Sequence, residues 1–434
     1  MAPTVNGIGS PAVVLPRRSA VQRLRPAQRL DGEKLALIAT AVAVAMLPLA
    51  VPAGPANTAP IDGLVAVACV ACLLWAARTG LRLRFPYVVP VAMLLAGGAL
   101  GALMGPVPSK GVVALLQDVV LIGWCWALVN LSRSPRHLKV LLATWAYSGV
   151  AWALVAFVGL ATGSSMLTGQ VEHQGSRVQI TLADPSYAAN YLFISIMIIW
   201  ATQRPRHRAV RMGAYLLLVA AIATTGSNSG IVALIAGMVI ATVLGAYRRF
   251  GVVPAVTLLA IIVVSGSVAV STISLAQIQE SAHDSPFPFL RDGIGRSTQS
   301  SGQREALLQE SLHLYERGSS LGEGPVSTKT RLSNENVLLV KEAHNDYFAA
   351  LIERGPLGFL GILVLVASVM LRAASVVKGR LARGFADVVV RPNALVGALA
   401  GTLIAMTVYE LLHVRHVWAL FAVVACVSIW GVKR

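Results

Sequence analysis

The sequence carries little charge for its length. Asp, Glu, Lys and Arg make up 13% of its 434 residues, whereas hydrophobic residues make up 56% and the mean hydropathy is +0.70. A soluble domain usually has about 25% charged residues. The shortage of charge therefore argues against a soluble protein and for one that lies in a membrane.

Cysteine and metal-ligating motifs are scarce as well. The four cysteines, Cys69, Cys72, Cys125 and Cys426, all fall inside apolar runs, where packing is a better explanation than metal or redox chemistry. The long polar segment at 273–346 has no Asp-x-Asp-like cluster and no His-x-x-x-His pair. No glycine-rich phosphate loop follows a strand, which argues against ATP as a substrate. We therefore predict neither a metal nor a cofactor.

The apolar residues come instead in runs of about 20, the length that crosses a hydrocarbon layer. About twelve spans are predicted, at 35–53, 63–77, 87–104, 112–131, 140–162, 188–202, 213–226, 229–246, 252–272, 357–373, 394–411 and 417–432. The predicted fold is an all-α, polytopic membrane protein with about twelve transmembrane helices. It carries a large, partly helical external loop before the last three spans, and membrane lipids surround it.

Basic residues alternate between the connections that join these spans. They occur in the N-terminal arm and in every second connection, for example at Arg78, Arg82 and Arg84, and the chain ends in Lys433 and Arg434. By the positive-inside rule, these connections and both termini lie in the cytoplasm. The net charge of +17 is spread over many short loops, so nucleic acid is not an expected partner.

These patterns divide the chain into four parts. Residues 1–33 form a basic cytoplasmic arm that we expect to be disordered, without the apolar stretch of a cleavable signal peptide. Residues 34–272 hold the first nine spans, with an external loop at 163–187. Residues 273–346 are the large external loop, and 347–434 hold the last three spans. A loop of this length is usually functional.

The large external loop has helical patterns of its own. Residues 302–317 have the apolar spacing of an amphipathic helix. A second helix is predicted to begin near Glu342 and to end at Gly355-Pro356, because proline removes a donor and clashes with the preceding turn. His344 would then lie on a short helix near the membrane surface.

Three glycines recur at four-residue spacing in and just after the third span: Gly97, Gly101 and Gly105. Small residues at this spacing let two helices approach closely in a membrane. We therefore predict a tight helix contact at these glycines, without chemistry.

Four segments resemble motifs of the O-antigen ligase and polymerase superfamily. The segment AHNDYFAALIERGPLGFLGILVLV at 343–366 is similar to its signature, a His-Asn pair followed by a Gly-x-x-Gly that runs into a transmembrane helix. The other segments are SGQREALL…LGEGP within 301–325, RVQITLADPSYAANYL at 177–192 and TTGSNSGIVALI at 224–235. The sequence departs from the family pattern at Asn228, where arginine is common, and at Asp184, where asparagine is more usual.

The resemblance implies a glycosyltransferase of the bacterial plasma (inner) membrane. Such an enzyme moves a glycan from a polyprenyl (undecaprenyl) diphosphate carrier to a hydroxyl of a lipid or glycan acceptor on the external face. A guanidinium suits the donor diphosphate, because it stays charged and binds phosphate oxygens bidentately. Arg177 and Arg304 are the candidates for this role.

The acceptor hydroxyl must lose a proton during the transfer. Histidine suits general-base catalysis because its pKa lies near neutrality, and His344 is the candidate. Asn345 is expected to position the imidazole or a sugar hydroxyl. Tyr347 could stack against a sugar face, with core packing as the alternative.

Three other functions remain to be weighed. A polymerase of the same superfamily differs from a ligase in its acceptor, which the sequence does not identify. A transporter of lipid-linked glycans would need ionisable residues near the bilayer midplane and often has a repeated half. Only Asp118 and Glu410 are obvious carboxylates in the predicted spans, and no repeat is visible. A purely structural membrane protein would not need the long loop with its His-Asn and arginine segments.

Overall fold

The chain forms a bundle of α-helices. A computed structural model describes residues 26–51, 58–170, 176–272, 274–286, 291, 309–310, 313–328, 330 and 345–433. Its helices are α1 (Pro26–Ala45), α2 (Pro60–Thr79), α3 (Val88–Met104), α4 (Pro108–Leu131), α5 (Pro135–Thr162), α6 (Ser165–Thr168), α7 (Pro185–Thr202), α8 (Arg208–Thr225), α9 (Asn228–Phe250), α10 (Val252–Thr272), α11 (Leu275–His283), α12 (Asp346–Lys378), α13 (Arg383–Val388), α14 (Pro392–Ala405) and α15 (Arg415–Cys426). The described residues contain no β-strand, only an isolated bridge between Leu381 and Val432. The predicted all-α class is confirmed for this part of the chain.

Within the described residues, the helices long and apolar enough to cross a membrane are six: α2, α4, α5, α8, α9 and α12. Four shorter apolar helices accompany them, at Val88–Met104, Val252–Val268, Pro392–Ala405 and Arg415–Gly431. Large apolar side chains on the outside, such as Leu103, Leu371 and Val253, are 74%, 72% and 76% exposed, as expected of a surface that faces lipid. The chain is a multi-pass membrane protein, and the count of twelve spans stays a prediction.

Two predicted spans have different ends in the structure. The first, predicted at 35–53, is a helix that stops at Ala45, followed by a turn. Pro48 lies just beyond, and the residue before a proline avoids the helical region. The helix of the span predicted at 394–411 stops at Ala405, because the chain turns there into a loop that binds the start of α12.

The centre of the bundle is built from α7, α14 and α15. Nearly every residue of these three helices is buried, the pattern of a helix that is packed on all sides. Helices α9 and α14 touch through their backbones, since a methyl group added to Gly237 would lie 2.7 Å from the Gly397 carbonyl oxygen. The starts of α7 and α15, which carry polar side chains, are thereby held in place by the core.

A second close contact joins α3 to α12. A methyl group added to Gly97 would lie 2.6 Å from the Arg354 carbonyl oxygen and 2.7 Å from the Gly358 nitrogen. One added to Gly101 would meet the Glu353 carbonyl oxygen, and one added to Gly105 would meet that of Glu323. The predicted helix contact is confirmed at Gly97 and Gly101, which meet α12, whereas Gly105 meets the loop that carries Glu323. The contact brings α3 against the segment that follows the His-Asn pair.

The close contact between α3 and α12 leads to a prediction about the stability of the protein. We expect Gly97→Ala to destabilise the protein by about 1–3 kcal/mol, because the new methyl group meets backbone atoms that cannot rotate away. Gly123 lies in α4, where an added methyl group would have no neighbour within 4 Å, so it supplies a matched control. Gly123→Ala should leave the Tm unchanged or raise it, since alanine favours helix. Thermal unfolding of the purified protein checks both; equal Tm values for the two variants would contradict the packing account.

The two ends of the bundle differ in character. The motif end, as we call it, is the end at which α7, α12 and α15 begin. At the other end, the Arg391 nitrogen donates to Ala201 O and the Lys433 nitrogen to Arg380 O, both at 2.9 Å. The basic connections that we predict to be cytoplasmic gather at this second end, away from the motif end.

Candidate functional site

Helix α12 is broken close to its start. Gly355 adopts φ 62° and ψ −171°, a conformation that favours glycine, and Pro356 follows it. This break confirms the predicted end of a short helix at Gly355-Pro356. The two pieces, Asp346–Arg354 and Pro356–Lys378, therefore point in different directions.

A segment of the long loop fills the gap that the break creates. Pro356 has no N–H and so cannot donate to the Ile352 carbonyl. The Glu323 nitrogen donates to that carbonyl instead, at 2.9 Å. The Gly324 nitrogen donates to the Glu353 carbonyl at 2.9 Å. The glycine-rich turn around residues 321–325 thus replaces the lost helical hydrogen bonds and is fixed against the short first piece of α12.

The start of α12 differs from our prediction. The helix begins at Asp346 rather than near Glu342, because Asn345 has an extended backbone and caps the helix. The Asn345 side-chain oxygen accepts hydrogen bonds from the Tyr347 and Phe348 nitrogens at 2.9 and 3.2 Å, as an N-cap does. His344, which we predicted to lie on this helix, precedes the cap in the sequence and lies outside the described residues.

The connection between α14 and α15, residues 406–414, is clamped to this helix start. The Asp346 carboxylate accepts from the Leu411 nitrogen at 2.7 Å and from the Leu412 nitrogen at 3.0 Å. The Asn345 side-chain amide donates to Thr407 O at 2.7 Å. The clamp loop, as we call residues 406–414, is therefore fixed to the Asn-Asp pair. This role of Asp346 was not predicted from the sequence. Its position directly after the His344-Asn345 pair was the signal that could have pointed to it.

Tyr347 lies between α12 and α14. Its hydroxyl donates to Leu403 O at 3.3 Å, and its ring packs against the apolar core. This position fits the alternative prediction, that Tyr347 packs in the core. A contact between the Tyr347 ring and a sugar stays a prediction.

Arg177 lies at the C-terminal end of α8. Its Nε donates to Thr225 O at 2.9 Å and its Nη2 to Gly226 O at 3.3 Å. The Val178 nitrogen adds a bond to Thr224 O at 3.1 Å. A cation is favoured at this end of a helix, where carbonyl groups lack helical partners. These bonds fix the guanidinium at the motif end, and its diphosphate-binding role stays a prediction.

The starts of α7 and α9 are tied together beside Arg177. Asp184 caps α7 through a hydrogen bond from the Ser186 nitrogen at 2.6 Å. The Ser227 hydroxyl caps α9 and also donates to the Ser186 hydroxyl at 3.3 Å. Asp184, where the sequence departs from the family pattern, therefore acts as a helix cap.

Two ion pairs cross the motif end. Arg354 Nη1 lies 2.7 Å from Asp118 Oδ2, which joins α12 to α4. Arg415 binds Asp62 with both arms, Nε to Oδ1 at 2.8 Å and Nη2 to Oδ2 at 2.5 Å. Such pairing is usual for charges inside a membrane protein. Asp118, one of the two carboxylates that could have served a transporter, is thus matched by an arginine.

Two of the three predicted catalytic residues, His344 and Arg304, lie outside the residues that the structure describes. In the helix predicted at 302–317, the described residues 309–310 and 313–317 are helical. Among the described residues, no group of three or more His, Cys, Asp and Glu side chains could hold a metal ion.

Comparison with protein families decides the relationship. Residues 213–363 match the family model described as O-antigen ligase. This part of the chain is similar to the O-antigen ligase family. The match confirms the resemblance to this superfamily, and it runs from α8 through the glycine-rich turn and the break in α12. Arg177, the start of α7 and the clamp loop lie outside it. A search of curated proteins finds no match to this chain.

Proposed function

We propose that this protein transfers a glycan from a polyprenyl (undecaprenyl) diphosphate carrier to a hydroxyl of an envelope acceptor, as an O-antigen ligase does. The match of residues 213–363 to the O-antigen ligase family is the observation that carries this proposal. The matched region contains Asn345, the broken helix, the turn that binds this helix, and the Thr225 and Gly226 carbonyls to which Arg177 donates. The partners are then a lipid-linked glycan donor and a lipid or glycan acceptor.

Each proposed site residue has a part in this transfer. Arg177 and Arg304 bind the diphosphate and stabilise the charge that grows on it as the sugar departs. His344 takes the proton from the acceptor hydroxyl, which then attacks the anomeric carbon. Asn345 holds the chain on which His344 sits, because its side chain joins the start of α12 to the clamp loop. Tyr347 supports the same helix start from the core side.

A polymerase of the same superfamily is the alternative, and the glycan profile of a deletion strain distinguishes the two. Loss of a ligase leaves unattached polymer, whereas loss of a polymerase leaves acceptors with single repeats. We expect unattached polymer. An unchanged profile would contradict both.

We propose that the motif end faces outward, with both termini in the cytoplasm of a bacterial inner membrane. The basic connections at the opposite end support this orientation. In a background with Cys69 replaced by serine, a cysteine at exposed Ser320 should react with an impermeant maleimide in intact spheroplasts. A cysteine at exposed His207 is the matched control and should react only after lysis. If the cysteine at position 320 reacted only after lysis and the one at position 207 reacted in intact spheroplasts, the orientation would be the opposite of the one proposed.

We also propose that transfer needs no divalent metal, because arginines provide the positive charge for the diphosphate. Transfer by the purified protein should then survive an excess of EDTA. Loss of transfer in EDTA, with recovery on adding Mg²⁺ or Mn²⁺, would refute this.

A further inference from the structure

Three aromatic rings from two separate elements meet at the motif end. Tyr187 comes from the first turn of α7, and Tyr409 and His413 come from the clamp loop. The Tyr187 ring stands nearly perpendicular to both others, with centroids 5.3 Å apart in each case and interplanar angles of 75° to Tyr409 and 82° to His413. The Tyr187 hydroxyl and His413 Nε2 are 2.7 Å apart. We call these three side chains the Tyr-His cluster.

The Tyr-His cluster lies partly at the surface of the motif end: His413 is exposed, whereas Tyr187 and Tyr409 are half-buried against the apolar core. Desolvation by the surrounding protein, followed by the charge of Arg415, lowers the pKa of His413 to about 4. The charged groups that influence it are Arg415, Asp118, Asp184 and Arg354. At neutral pH the imidazole is therefore uncharged, and its Nε2 shares a hydrogen bond with the Tyr187 hydroxyl.

The Tyr-His cluster adjoins both parts of the proposed active site. On one side, the clamp loop that carries Tyr409 and His413 is bound to Asn345 and Asp346. On the other side, Ser186, next to Tyr187, is bonded to Ser227. The cluster thus bridges the elements that hold the His-Asn motif and those that hold Arg177.

The chemistry of the cluster matches one class of ligand. A sugar ring has C–H faces that pack on aromatic rings and hydroxyls that bond to polar groups at ring edges, and binding pockets commonly combine these two features. The cluster offers perpendicular aromatic faces with a phenol and a neutral imidazole at their edges. A phosphate would instead need a cation, and Arg415 is already held by Asp62 through two hydrogen bonds.

We propose that Tyr187, Tyr409 and His413 form a subsite for a sugar residue of the glycan substrates. This inference rests on the proposed transfer function, and it adds residues that lie outside the family match. The sugar can belong to the donor glycan or to the acceptor, because both must approach the same reacting centre. A subsite here would position a sugar without taking part in proton transfer.

Binding by the purified full chain in nanodiscs tests this subsite separately from transfer. Two soluble probes are used: the donor glycan released from its carrier by mild acid, and the deacylated acceptor. We expect Tyr409→Ala and His413→Gln to weaken binding of at least one probe about tenfold or more, with KM for transfer raised more than kcat is lowered. The probe that loses affinity identifies the source of the sugar. Tyr247→Ala, at an exposed tyrosine near the end of α9, should bind both probes as the wild type does.

Several outcomes separate this inference from the proposed function. Wild-type protein that binds a probe through Tyr409 and His413 but transfers no glycan would sink the transferase proposal and leave the subsite standing. Arg177→Ala should still bind the carrier-free donor glycan, because this probe has no diphosphate for Arg177 to bind. The subsite is refuted if wild type binds neither probe, or if both cluster variants, with wild-type Tm, bind the probes normally.

Discussion

Replacement of His344 by alanine is expected to lower glycan transfer about 100-fold or more, the usual contribution of a general base. The acceptor hydroxyl is a weak nucleophile until its proton is removed. The residue after His344 is fixed by the cap of α12 and by the clamp loop, so the chain enters the site at a defined place. Single-turnover transfer by purified protein measures the loss.

Two further variants separate the base from a binding role. His344→Gln keeps a hydrogen-bonding side chain but cannot take a proton at neutral pH, so it should be nearly as inactive as His344→Ala. Recovery of much of the activity in His344→Gln would instead assign His344 to acceptor orientation. His207→Ala, at an exposed histidine of the opposite end, serves as control and should transfer normally. Near-normal transfer by well-folded His344→Ala would move the search for the base to Glu323 and Glu342.

Loss of Arg177 is expected to lower transfer about 100- to 1000-fold, the effect of removing one group that stabilises charge in a transition state. Arg177→Lys should restore little, because an ammonium cannot make the forked contact of a guanidinium. Arg177 also binds the carbonyls of Thr225 and Gly226, so the alanine variant should lose some stability, about 0.3–1 kcal/mol.

A matched arginine separates the two effects. Arg211 also donates to backbone carbonyls, those of Gln203 and Pro205 at 3.1 and 3.0 Å, but at the opposite end of the bundle. Arg211→Ala should lower the Tm in the same way and leave kcat unchanged. If both variants lose stability and neither loses transfer, Arg177 is a helix cap and does not bind the diphosphate.

Most of the fold follows from local sequence signals. Apolar runs predict the helices because a membrane allows the backbone few other ways to satisfy its hydrogen bonds. The four-residue spacing of Gly97 and Gly101 predicts the contact with α12, since only small residues allow such an approach. Gly355-Pro356 predicts the break in α12 from proline chemistry alone. Each of these signals lies within a few residues of the feature that it predicts.

The site depended on contacts that no local pattern contains. The glycine-rich turn was visible in the sequence, but its bonds to the Ile352 and Glu353 carbonyls join residues about 29 positions apart, as the helix break requires. Residues 406–411 of the clamp loop fall in the span predicted at 394–411, because their apolar side chains hide the turn that Asp346 stabilises. Tyr187 and His413, 226 positions apart, meet only after the bundle has formed. Such pairs could not be predicted from one sequence.

The central claim is that the carrier diphosphate bond to the glycan is broken and the glycan moves to an acceptor hydroxyl. Purified protein in liposomes, given a polyprenyl diphosphate-linked glycan labelled in its first sugar and an acceptor, tests this directly. The account predicts that label appears on the acceptor, with an equal amount of polyprenyl diphosphate released. Movement of the intact lipid-linked glycan between leaflets, without any released polyprenyl diphosphate, would contradict it.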